Sequence, residues 1–205
     1  MIELTRYREA LDLAQTGVYA IRRSPTPKTM AMLHVIEARA HAGLGDVQPC
    51  YRAPGAAQEA FARAGSDTDP SWCAFFDKGE LYGLLGVTLR DLALADTEHA
   101  AQHAADARLL IEQAIQQRPR QFLRSRVMDM DGLAVVNVLL GEAEAAGKAA
   151  GAALSMAGAV TSIRVISRLQ RTTQLAQERF PRIPAIAELA DRTPILPAGG
   201  NHRRS

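Results

Sequence analysis

The chain has 205 residues, of which 47% are hydrophobic and 22% charged, a composition that suits a globular protein or a short solenoid. A net charge of +2 and an aromatic content of 5% argue against nucleic acid as a direct partner, since they supply neither a basic field nor a stacking surface. The sequence lacks a membrane-length apolar run and a signal-peptide pattern, and its two cysteines form no paired motif, so we expect a cytoplasmic protein that does not contact a membrane.

Helical periodicity runs through nearly the whole chain, and strand patterns are almost absent. The third helix is expected to start near Pro49 and to bend or break at Pro54, and Asp96 or Thr97 is expected to cap the fifth. Residues 193–205 are predicted to be disordered. The remaining predicted helices span residues 4–23, 28–44, 77–95, 122–140, 143–156, 162–179 and 184–191, and the fifth ends at 118.

One short sequence pattern occurs three times in the chain. "ARAHAGLGD" begins at Ala38, "AVVNVLLGE" begins at Ala134, and "GVTLRDLAL" begins at Gly86, midway between them. A small residue opens each copy, and another small residue follows seven positions later in each. Such self-similarity indicates stacked helix hairpins, in which small residues let the paired helices approach closely.

This frame resembles the tetratricopeptide repeat, whose small and large positions are matched without a gap by Ala134, Asn137, Gly141, Ala146 and Ala153. The resemblance implies an all-α, antiparallel helix-hairpin, right-handed solenoid of about three repeats with capping helices. Residues 1–27 would form an N-terminal capping helix, and residues 28–192 the helical array. Two departures are Pro54 inside the first repeat and about nine extra residues around the turn of the second.

A closer resemblance is to the C-terminal, tetratricopeptide-type region of actinomycete regulators that carry an N-terminal helix-turn-helix domain. Three segments carry it: "DPSWCAFFDKGEL", "RPRQFLRSRVMDMDGLA" and "SIRVISRLQRTTQLAQERF", at residues 69–81, 118–134 and 162–180. The sequence holds no helix-turn-helix segment, so DNA binding is not carried over. We expect either that such a domain was removed or that the chain is a stand-alone relative of these regulators.

The resemblance also implies a concave face lined by the first helix of each repeat. This face combines apolar side chains with opposed charges, which suits a peptide or protein segment. Its four charged residues, Arg39, Glu80, Arg90 and Asp131, are expected to be exposed. Arg168 is expected to lie off this face. We therefore expect a regulatory sensor or adaptor; the alternatives are an enzyme or biosynthetic helper that holds a small molecule in the helical cavity, and a structural homo-oligomer such as a homodimer. The expected binding residues are Arg39, Glu80, Val87, Arg90, Met128, Asp131 and Val135.

No residue set predicts catalysis, a metal or a cofactor. His99 and His103 share a helix face and would supply half of a metal site, but a solvated helix start is the preferred interpretation. His34 and His41 are interpreted as packing residues, and Cys73 lacks an activating neighbour. Two arginine clusters, which begin at Arg118 and Arg164, are interpreted as solvated helix faces.

Overall fold

The computed structural model describes residues 6–23, 26–65, 69–158 and 162–193. Within these ranges the chain forms nine α-helices and no strand, which confirms the prediction of an all-helical protein. Ser24, Pro25 and the predicted tail beyond Thr193 lie outside the described residues. The helices are α1 (Tyr7–Ala20), α2 (Pro27–Leu44), α3 (Val47–Ala62), α4 (Lys78–Ala95), α5 (Ala100–Gln117), α6 (Leu123–Leu139), α7 (Ala143–Ala157), α8 (Ile163–Arg179) and α9 (Pro184–Arg192).

The chain divides into two compact units, of which the first is Met1–Arg118. In this unit α2 pairs with α3 and α4 pairs with α5 as sequential antiparallel hairpins, α1 packs on α2, and α2 packs on α4. Val35 of α2 and Leu81 and Leu85 of α4 share a buried core cluster with Phe76, which precedes α4. The apolar stripe of each helix is thereby covered by its neighbours.

The second unit is Pro119–Ser205. Here α6 pairs with α7, α8 packs on both, and α9 packs on α7 and α8. Its core joins Val127 of α6, Leu154 of α7, Val165 of α8 and Ile186 of α9. Alanines of α7 fill much of the remaining volume, so the backbones of this unit approach closely.

The two best-matched sequence copies end their helices in the same way. Gly45 after α2 and Gly141 after α6 have positive φ angles of 74° and 80°. The amide of Asp46 donates to the carbonyl of His41 at 2.9 Å, and the amide of Glu142 donates to that of Asn137, also at 2.9 Å. Both are glycine-terminated helix stops of the Schellman type, so the sequence repeat is also a repeat of local structure.

The small positions that open the three copies lie inside the protein. Ala38 and Ala134 have no exposed surface, and Gly86 is also buried. A Cβ atom on Gly86 would come within 2.5 Å of Ile111 Cγ1 and 3.0 Å of the Ile111 nitrogen, so α4 and α5 touch at this point. The predicted role of the small residues in helix approach is confirmed here.

Two local predictions were wrong. Helix α3 is continuous through Pro54, because Cys50, Ala57 and Ala60 on both sides of the proline are buried and their packing outweighs one missing backbone hydrogen bond. Asp96 does not cap α5; it is the C-terminal cap of α4, and His99 occupies the N-cap of α5.

The start of α4 is as predicted, since Asp77 caps it by accepting a hydrogen bond from the amide of Glu80 at 2.8 Å. Among the described helices, none is both long and apolar enough to cross a membrane.

Candidate functional site

The predicted binding residues of the first unit lie on α2 and α4, but their charges are not free. Arg90 is only 7% exposed. Its Nε donates to Asp91 Oδ1 at 3.0 Å, so the neighbouring carboxylate neutralises it. The expectation of an exposed Arg90 was therefore wrong, because α4 is enclosed on nearly every side. Val87 is also buried.

Glu80 is committed to a partner within the same unit. Arg118 Nη1 donates to Glu80 Oε2 at 2.7 Å, and Arg118 Nη2 donates to the carbonyl of Gly79 at 3.0 Å. Gly79 is buried against the Arg118 backbone, which a Cβ atom would approach to 3.3 Å. Arg118 is thus a buried anchor rather than part of a solvated face, and Glu80 is not an exposed groove charge.

Arg39 differs from these two charges. It is partly exposed on α2, and its Nε atom is buried with no hydrogen-bond partner among the described residues. Val35 lies one helical turn earlier on the same face, which packs against Leu81 and Leu85 of α4. Arg39 therefore lies one turn after Val35 on α2, with a buried Nε donor that no described residue satisfies.

In the second unit, Asp131 is 2% exposed at the contact between α6 and α8. Thr172 Oγ1 donates to Asp131 Oδ1 at 2.6 Å, and Arg168 Nε donates to Asp131 Oδ2 at 3.2 Å. The prediction of an exposed Asp131 was wrong, and so was the separation of Arg168 from it. Met128 packs against the core of this unit, and Val135 is buried.

A polar cluster lies where α4 ends and α5 begins. Asp96 Oδ2 is 3.1 Å from His99 Nδ1 and 3.0 Å from His103 Nε2. The Asp96 side chain is 18% exposed, His103 is buried and His99 is 61% exposed. The hydrogen bond from His103, ahead of that from His99, holds the pKa of the Asp96 carboxyl below its ordinary value. The expectation of a solvated helix start was therefore wrong for His103.

The other ring nitrogen of His103, Nδ1, also has a hydrogen-bond partner. His103 Nδ1 is 2.8 Å from the hydroxyl of Tyr51 on α3, and that hydroxyl donates to Asp106 Oδ2 at 2.8 Å. Burial, followed by the hydrogen bond to Asp106, raises the pKa of Tyr51 well above its ordinary value, so the phenol keeps its proton. Two helices therefore fix the orientation of the His103 ring.

The other two histidines of the described residues have local partners. His34 Nδ1 is 2.6 Å from Glu37 Oε2, and His41 Nδ1 is 3.1 Å from Asp46 Oδ2. Each is part-buried and linked to one carboxylate close in sequence.

Neither cysteine is prepared for nucleophilic chemistry. Both thiols are free and buried. Burial, with a smaller contribution from the Asp91 charge, raises the pKa of Cys50 to about 12. Cys73 Sγ donates to the carbonyl of Pro70 at 2.9 Å. A nucleophilic cysteine needs a lowered pKa and access, and Cys50 has neither.

The sequence reasoning missed two members of these networks. Tyr51 lies 52 positions before His103, so no local pattern connects them. Asp96 was treated as a helix cap, although it lies only three positions before His99 and seven before His103. That spacing was the available signal.

Comparison with protein-family models, with curated proteins and with solved structures gives no match.

Proposed function

We propose that the chain is a tetratricopeptide-type binding module, a right-handed solenoid of about three repeats that acts as a regulatory sensor or adaptor for a peptide or protein segment. Sequential antiparallel hairpins, buried small residues at the start of each copy and the matching helix stops at Gly45 and Gly141 support this proposal. The free thiols of Cys50 and Cys73 suit a reducing cytoplasm.

Arg39 carries the proposal. The Nε atom of Arg39 is buried without an acceptor, which is costly, and the residue is partly exposed, so a shift of the guanidinium towards solvent would let a ligand supply the missing acceptor. A planar carboxylate matches the guanidinium best, because it can accept two parallel hydrogen bonds. We therefore propose that Arg39 receives an acidic side chain or the C-terminal carboxylate of the bound segment.

The other predicted charges have a different role in this proposal. Glu80, Arg90 and Asp131 are satisfied by partners inside their own units, so they support the helices that hold the site rather than contacting the ligand. This narrows the expected set of contact charges to one residue.

The test is a screen of short synthetic peptides that carry internal acidic residues or free C-terminal carboxylates, read by fluorescence anisotropy with the full chain. Arg39→Gln keeps a polar side chain but removes the guanidinium and its charge. We expect Arg39→Gln to weaken binding of the tightest peptide by at least about 2 kcal/mol, which is roughly a thirtyfold increase in Kd. Amidation of the peptide carboxylate that binds Arg39 should weaken binding to the wild-type protein by the same factor.

Arg8→Gln is the matched control, because Arg8 is an exposed arginine on α1. It should leave both Kd and Tm unchanged, and Arg39→Gln should leave Tm nearly unchanged. Peptide binding that is insensitive to Arg39→Gln would remove Arg39 from the site, and a screen without any binder would contradict the proposal.

A further inference from the structure

We propose that Asp96, His99 and His103 form a binding site for a divalent transition-metal ion of the zinc type. The three side chains offer one oxygen and two nitrogen ligand atoms, which lie within 4.8 Å of one another. Imidazole and carboxylate are ligands that zinc takes in proteins. This site is independent of Arg39 and of the proposed peptide ligand.

The spacing of the ligand atoms is close to that of a bound ion. Atoms that bind a tetrahedral zinc ion at about 2.0–2.1 Å lie roughly 3.3 Å from one another. Asp96 Oδ2 lies 3.1 Å from His99 Nδ1 and 3.0 Å from His103 Nε2. Rotation of the exposed His99 ring would adjust these distances to an ion without a change in the helices.

The hydrogen-bond roles at His103 favour a cation in this position. Tyr51 gives its single hydroxyl proton to Asp106, so the Tyr51 oxygen must accept the hydrogen from His103 Nδ1. In neutral His103 the lone pair of Nε2 then points at the Asp96 carboxylate oxygen 3.0 Å away. Two acceptors that face each other need a cation between them, either a proton on Nε2 or a metal ion.

The surroundings of His103 match those of metal-binding histidines. Such residues usually donate their second ring hydrogen to a fixed acceptor, which sets the tautomer and the ring orientation. Here that acceptor is Tyr51, held in turn by Asp106, and Gln102 Nε2 donates to Asp106 at 3.2 Å. A simple pair of histidines that neutralise one carboxylate does not require this support.

Three protein ligands leave a fourth position open. Zinc sites of this composition hold water or a substrate there, whereas closed structural sites use four protein ligands. The 61% exposure of His99 places solvent beside the cluster, so the open position has access to water. The α4 C-terminus favours a cation and the α5 N-terminus opposes one, so the three ligands decide the affinity.

The experiment is isothermal titration calorimetry of zinc chloride into the full-length, tag-free chain after removal of metal with EDTA. We expect one zinc ion per chain and a rise in Tm with zinc, because an ion that binds the folded state alone stabilises it. His99→Ala should weaken zinc binding at least about 100-fold, more than the loss of a supporting residue costs. Its Tm in EDTA should stay near that of the wild type, since His99 is exposed.

Two further variants separate a built site from surface binding. Tyr51→Phe keeps the ring but removes the acceptor of His103 Nδ1, and should weaken zinc about 10- to 100-fold. His34→Ala removes a histidine outside the cluster that pairs with a single carboxylate, Glu37. This variant should leave zinc binding unchanged. Absent stoichiometric binding, equal affinity in wild type and His99→Ala, or an equal loss in His34→Ala would each overturn the proposal.

Discussion

Asp131 shows how a single charge can be structural although its position in the repeat suggests a ligand contact. Its two carboxylate oxygens accept from Thr172 and Arg168 across the contact between α6 and α8. We expect Asp131→Ala to lower the free energy of unfolding by about 3–5 kcal/mol, because it leaves buried donors without this acceptor. Urea denaturation followed by circular dichroism measures the change.

Asp12→Ala is the control for this prediction, since Asp12 is an exposed carboxylate on α1. It should alter the free energy of unfolding by less than about 0.5 kcal/mol. A similarly small effect of Asp131→Ala would mean that the pair with Arg168 contributes little, and would return Asp131 to the list of ligand contacts.

Cys50 makes a pH-dependent prediction. Its pKa is about 12 in the folded protein against 9.0 for an unperturbed thiol, so the folded state binds more protons than the unfolded state between these values. Stability must therefore fall as the pH rises from about 9 towards 12. Cys50→Ala should make this alkaline decline shallower in thermal melts at stepped pH.

Among the helix ends, Gly45 and Gly141 both adopt the left-handed backbone conformation. Both have positive φ angles, and a Cβ atom at either would meet nothing within 4 Å, so only backbone strain opposes substitution. We expect Gly45→Ala and Gly141→Ala each to cost about 1–2 kcal/mol of stability, measured by chemical denaturation.

Gly55 provides the opposite case. It lies inside α3 in equally open space, and no positive φ is found there. Gly55→Ala should stabilise the protein by about 0.5–1 kcal/mol. If all three substitutions had the same sign, the helix stops would not be the reason for these glycines.

The helices could be predicted because their signals are local. Asp77 and Gly45 mark a helix start and a helix stop through atoms within a few residues. Pro54 was misjudged because its local effect is offset by packing on both sides, and Asp96 was assigned to the wrong helix because two helix ends compete for it. The local sequence does not show whether packing outweighs the effect of Pro54, or which of the two helix ends includes Asp96.

The site residues were harder, because their partners are remote. The exposure predicted for Asp131 failed through Thr172, 41 positions later, and the support of His103 comes from α3. A repeat alignment gives positions on an idealised solenoid; it does not identify which neighbouring helix covers them. Small buried residues such as Gly86 were predicted correctly because close helix approach is a property of the repeat itself.

For the whole molecule, the relevant feature is that each compact unit has its own core. One core joins α2, α3 and α4 in Met1–Arg118, and another joins α6 to α9 in Pro119–Ser205. We expect both segments, produced separately, to be helical and to melt cooperatively, because each has its own buried core. Circular dichroism tests this, and a segment without a cooperative transition would contradict it.

Arg118 also has a consequence for local opening. Helix termini normally fray first, and their amides exchange with solvent long before those of the middle. The last residue of the first unit is bonded to Glu80 and to the Gly79 carbonyl at the start of α4, so the end of α5 is tied to the beginning of its own hairpin. Opening that end breaks a buried ion pair, which makes this terminus one of the slow-exchanging parts of the hairpin and a poor entry point for proteases.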